Sequence, residues 1–226
     1  MRHNIKTNET HQGQFYNVTL TALHFDLNNQ HLYAIGTTRD GQSSFLWVID
    51  PDTLTLQERI DLTPQGKPDI GSAYDILENI LYYRTQTDLI GIEINTLMIR
   101  PLCKLDHLIY LNNLYVMNEA FYTVYNWRKD SYDFTVSNLT LKQLDKRYCR
   151  VIKQLNFEQP TPVAVMTGRT LDVDKSQIIF SYNDDFSMFG HSVRVVTVDL
   201  KEWKVINYVY KRFANSPYEL IYISST

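Results

Sequence analysis

The side chains best suited to gripping a partner fall at the tips of short polar loops. They are Arg39 and Asp40, Arg84 and Asp88, Trp127, Arg128 and Lys129, and Asp184, Asp185 and Phe186. Arg and Trp combine directional donors with large contact area, which is why they recur at binding hot spots. The chemistry they suggest is recognition, not bond cleavage. No GxGxxG, GxSxG or HExxH motif accompanies them.

Other candidate motifs have simpler readings. Gly36-Thr-Thr-Arg-Asp-Gly41-Gln42-Ser43 comes close to a phosphate loop, but Gln42 stands where the lysine belongs. A strand follows it, where a helix N-terminus would have to supply amides. It reads as a hairpin tip, and Gly66-Lys67-Pro68 also fails as a phosphate loop. Asp172-Val-Asp174-Lys-Ser176 alternates oxygen donors but lacks the glycine and distal glutamate of an EF-hand. Asn183-Asp-Asp-Phe186 reads as a solvated hairpin. The six histidines show no metal-ligand spacing, so neither a metal nor a cofactor is expected. Cys103 and Cys149 are too few for a disulfide framework and read as two buried, unbridged thiols.

The whole chain bounds these readings. It has 226 residues, 44% hydrophobic and 21% charged, with a net charge of −3. That length buries a core without metals or disulfides, and that composition excludes disorder. With no basic excess, nucleic acid is not an expected partner. Lys142, Lys146, Arg147, Arg150 and Lys153 form a local basic run, read as a wet face. No apolar run reaches the ~18 residues of a membrane span. Residues 1–13 are polar and read as a flexible tail preceding a single domain over 14–226. Their lack of an apolar core leans towards an intracellular protein. The sequons at Asn8, Asn17 and Asn138 would matter only after secretion.

The elements that position the loops are strands. Tyr is abundant, at sixteen residues, and Gly scarce, at eight. Short β-favouring runs recur between turn residues. His31–Gly36 leads to Ser44–Asp50, and Asn79–Arg84 leads to Leu89–Asn95. Phe121–Trp127 leads to Tyr132–Asn138, and Gln177–Tyr182 leads to Ser192–Asp199. The second run of each pair ends in Asx, at positions 50, 95, 138 and 199, where a short side chain can cap the next turn. The spacings of 45, 43 and 61 residues suit four-stranded propeller blades. Trp47, Ile90, Val136 and Val196 should be buried between blades. One stretch stays open between helix and strand. Leu141, Leu144, Tyr148, Val151 and Leu155 recur at helical spacing, and Thr140 with Gln143 has the form of a capping box.

The segment Leu32-Tyr-Ala-Ile, then Trp47-Val-Ile-Asp-Pro-Asp-Thr-Leu-Thr-Leu, then Ile60, resembles a blade of the bacterial surface-antigen propellers of YVTN type. The resemblance implies fold and not activity. The expected architecture is all-β, a small propeller of four four-stranded blades, or five if the termini complete one. The expected role is a non-catalytic binding or scaffold module acting through the hairpins between second and third strands. A protein partner comes first and a carbohydrate second. The rivals are a lectin and a lactonase- or glycosidase-like hydrolase, for which Asp75, Glu119, Asp172 and Asp174 are the candidate acids.

Overall fold

A computed structural model describes residues 2–4, 9–11, 18–26, 28–69, 71–105, 113–128, 137–157, 165–183 and 191–213. Within the N-terminal segment, β1 (Arg2–Asn4) pairs with β2 (Glu9–His11). Four four-stranded antiparallel sheets follow, each a meander in chain order. They are the blades of a β-propeller. The first contains β3 (Val18–Asp26), β4 (His31–Thr38), β5 (Ser44–Ile49) and β6 (Leu56–Asp61). The second contains β7 (Ser72–Asp75), β8 (Ile80–Arg84), β9 (Asp88–Glu93) and β10 (Met98–Lys104). The third contains β11 (Asn113–Met117), β12 (Ala120–Arg128), β13 (Ser137–Asp145) and β14 (Val151–Asn156). The fourth contains β15 (Val165–Asp172), β16 (Gln177–Asn183), β17 (His191–Asp199) and β18 (Lys204–Phe213). The chain separates into two compact units. One holds residues 1–108 with 147–149, and the other holds 109–146 with 150–226.

One turn design recurs along the chain. Asp26 accepts from the backbone N–H groups of Asn28 and Asn29, Asp50 from those of Asp52 and Thr53, and Asp75 from those of Leu77 and Glu78. Asp172 accepts from Lys175 N–H, and Asp199 from Lys201 and Glu202 N–H. Four residues after each aspartate the backbone turns left-handed, at Gln30, Leu54, Asn79, Ser176 and Trp203. An Asx cap supplies the acceptor for the tight turn. The next strand can then pair without the glycine that a left-handed position favours.

The same design corrects two sequence expectations in the third blade. Asp145, not Asn138, is its Asx residue: Arg150 N–H donates to the Asp145 carboxylate, and Cys149 takes the left-handed position. Residues 141–155 are therefore two strands and a turn, with no helix. Ser137–Asp145 pairs along β12 on one side and β14 on the other. In the second blade the equivalent position, four residues before the left-handed Leu97, is Glu93, which accepts from the Thr96 hydroxyl, while Asn95 accepts from Asn79 Nδ2 instead.

The cysteines are a further correction. Cys103 and Cys149 form a disulfide, with Cα atoms 6.1 Å apart, inside the span a bridge can close. The sequence hid this because the helical reading concealed the turn that presents Cys149.

Each unit has its own apolar core. In the first, Tyr33, Ile35, Leu46 and Val48 of one blade pack with Leu81, Tyr83, Ile90 and Ile92 of the next. In the second, Tyr115, Tyr122, Val124, Leu139 and Leu141 pack with Ile178, Phe180, Val196 and Val198. Trp47, Ile90 and Val196 are buried as expected, and Val136 lies outside the described residues. Trp47 does not share a cluster with Ile90. It packs with Ala34 and Ile49 on the other face of its sheet.

Candidate functional site

The β4–β5 hairpin closes on itself. Thr38 N–H donates to Ser43 C=O at 2.8 Å, and Gly41 N–H donates to Thr38 C=O at 2.8 Å. The Thr38 hydroxyl donates to Asp40 Oδ1 at 2.6 Å and accepts from Ser43 N–H at 3.0 Å. Gln42 N–H also donates to Asp40 Oδ1, at 3.0 Å. The Thr38 hydroxyl, and after it the Gln42 amide, hold the Asp40 carboxyl below its ordinary value. Asp40 is thus a brace inside the loop. Arg39 projects from it, exposed and without an ion pair among the described residues.

The crossover from β6 to β7 runs beside this tip. Ser44 N–H donates to Thr63 Oγ1 at 3.0 Å, and a 3-10 turn at Thr63–Gln65 follows. A Cβ added at Gly41 would lie 3.5 Å from Lys67 Nζ, and one at Gly66 would lie 3.6 Å from Thr85 Cγ2. The crossover therefore bridges the first hairpin and the second. Lys67 is exposed and likewise lacks an ion pair among the described residues. The sequence does not single it out, because Gly66-Lys67-Pro68 matches no binding motif, although an inter-blade crossover must pass over the hairpin tips.

Arg84 is placed differently from the expectation. It is buried at the end of β8 and is not a tip. Its Nε donates to Thr85 C=O at 3.2 Å, and a terminal nitrogen lies 3.4 Å from Asp69 Oδ2. Asp69 N–H donates to Arg84 C=O at 2.8 Å. Arg84 clamps the crossover in place. The exposed groups of the second hairpin are Gln86 and Thr87, over a turn in which Thr85 Oγ1 accepts from Asp88 N–H at 3.0 Å.

Of the remaining expected site residues, Trp127 and Arg128 close β12, paired with Asn138 and Ser137. Their side chains lie outside the described residues, as do Asp184, Asp185 and Phe186. The acids of the hydrolase reading sit in turns between first and second strands. Asp75 and Asp172 are turn caps, and Asp172 also pairs with Lys175 at 3.4 Å. Glu119 and Asp174 are exposed turn residues. Among the described residues no three His, Cys, Asp or Glu side chains are placed to hold a metal ion, and no helix is long and apolar enough to cross a membrane.

No family model matches the chain, and no curated protein matches it in sequence. Solved structures do match. Hydrazine synthase from Kuenenia stuttgartiensis is similar with a TM-score of 0.53 and 11% identity, over 90% of this chain and 53% of that one. TolB from Acinetobacter baumannii is similar with a TM-score of 0.52 and 10% identity, over 83% of this chain and 43% of that one. The chain spans about half the length of each. At such low identity the likeness shows the fold alone: the chain is all-β, with four four-stranded propeller blades.

Proposed function

We propose that the chain is a non-catalytic binding module that engages an acidic surface of a protein partner through the hairpin-and-crossover face of its first unit. The observation that carries this reading is the pair of exposed cations, Arg39 and Lys67, set beside one braced hairpin. Asp40, the nearest carboxylate in sequence, bonds to Thr38 and Gln42. A loop already fixed by its own hydrogen bonds loses little freedom on binding. Loops on a rigid scaffold are where recognition is usually placed. With a net charge of −3 over the chain, the positive spot is local. Attraction to an acidic surface should therefore weaken as salt screens it.

The test is quantitative capture from the native host on immobilised wild type, an Arg39→Ala/Lys67→Ala double variant, and a control carrying Arg100→Ala on the outer strand β10. The reading predicts proteins retained by wild type and control but lost from the double variant, with retention falling as salt rises. Equal retention on all three removes this face as the binding surface.

A further inference from the structure

The Cys103–Cys149 bond has a different setting from a disulfide sealed in a core. Cys149 sits in the turn between β13 and β14, whose ends close without it. Asp145 N–H donates to Arg150 C=O at 3.0 Å, and Arg150 N–H donates to Asp145 Oδ2 at 2.8 Å. Cys103 lies on β10, the edge strand of its sheet, where the ladder to β9 is broken by a register shift between Pro101 and Cys103. Cys149 is buried while Cys103 is only half-buried. Cys103 is thus the more exposed partner of the bridge. Neither the turn's own closure nor any pairing of β10 with β9 depends on the sulfur bridge.

We propose that this disulfide is a reversible redox latch that fastens the 147–149 turn to β10, opened by a dithiol reductant. A thiolate of the reductant attacks Cys103 Sγ, the S–S bond breaks, and Cys149 leaves as a thiolate and takes up a proton. The second thiol of the reductant attacks the mixed disulfide and releases Cys103, which takes up the other proton. Two electrons and two protons reach the protein, and the reductant leaves as its own disulfide. The conformational change is confined to the turn, because the strands around it keep their ladders.

The experiment treats the full-length chain with dithiothreitol without denaturant, then blocks thiols with iodoacetamide and measures mass and amide hydrogen exchange. The latch predicts no alkylation before reduction and two alkylated cysteines after it. Far-UV circular dichroism should be unchanged, with faster exchange only in peptides covering 145–151. Reoxidation should restore the slow exchange. Cys149→Ser should fold and leave Cys103 open to alkylation. Three results overturn the proposal. The bond could resist reduction until the protein is denatured. Reduction or Cys149→Ser could unfold the second sheet. Two free thiols could be found before any reductant is added.

Discussion

The two units stack their blades by different chemistry. In the first, the apolar contact between blades is edged by a buried polar network. Asp26, fully buried, accepts from Asn29 Nδ2 at 2.8 Å and from the Tyr33 hydroxyl at 3.4 Å. The Tyr74 hydroxyl, from the neighbouring blade, donates to Asn79 Oδ1 and helps lower the Asp26 carboxyl. The Tyr33 and Tyr74 rings lie 5.9 Å apart, and His24 Nε2 meets Ser72 Oγ at 2.8 Å. In the second unit, aromatic rings take that place. Trp203 lies 6.4 Å from Tyr122, Phe157 meets Phe180 edge-on at 5.5 Å, and Lys153 Nζ sits 5.6 Å from the Trp203 ring. Directional bonds to a carboxylate fail when it protonates, whereas ring packing does not. The two units should therefore part company in acid and respond to different substitutions.

The largest expected effect comes from the aromatic side. Phe180→Ala empties a fully buried position and should cost ~3–5 kcal/mol in denaturant melts. Its hydrogen-exchange signature should centre on β12, β13, β16 and β17. Asp26→Ala is the counterpart in the first unit. It strands the donors of Asn28, Asn29 and Tyr33, and should cost ~2–3 kcal/mol. A loss under ~0.5 kcal/mol would break the comparison, because the network would then be ornament on an apolar interface.

The repeat was legible at Asp50 and Asp199 because their turn residues have a mechanism. It was illegible in the third blade for a physical reason. Its β13 is a middle strand buried on both faces: Leu141 joins the core shared with the fourth blade, and Leu144, also fully buried, lies on the opposite face of the unbroken strand. Leu141 and Leu144 then fall three apart, as on a helix, and Cys149 disappears into the same false period. Trp47 shows a second limit. A middle strand of a blade is buried on both faces, and β5 is buried at all but one position. Burial was therefore readable, but not which face Trp47 takes. At the site, the β4–β5 tip could be found from its turn residues. Arg84 could not be told from an exposed tip, since its clamp on Asp69 is a contact across the crossover.

Arg84 and Arg39 sharpen the same contrast at smaller scale. Arg84→Ala should cost about 1–2 kcal/mol, by leaving Thr85 C=O without its side-chain donor and loosening the crossover. Arg39→Ala should change stability by under ~0.5 kcal/mol, as exposed substitutions do, and act only on partner capture. Paired melts of the two variants check both values. Equal stability losses would mean that Arg39 is part of the fold and not of a binding face.

Proton linkage tests the difference between the units most directly. Burial raises the Asp26 pKa, but the bonds from Asn29, Tyr74 and Asn28 outweigh it and leave the value lowered. A lowered carboxyl stabilises the fold above the unfolded value of ~3.9, and that stability is lost as pH falls through the folded value. Alkali separates the units less well. Burial, with the Asp26 carboxylate, pushes Tyr33 up to about 12, and burial also raises Tyr122 in the second unit. The decisive measurement is hydrogen exchange from pH 7 to pH 3, normalised to the unfolded chain, on wild type and Asp26→Asn. Wild type should lose protection in β3, β4, β7 and β8 below pH ~4, while β12, β13, β16 and β17 keep theirs. Asp26→Asn should start with lower protection in the first group and show a flatter pH response. If all four blades lose protection together in wild type, or the second unit goes first, the buried carboxylate does not govern the first interface.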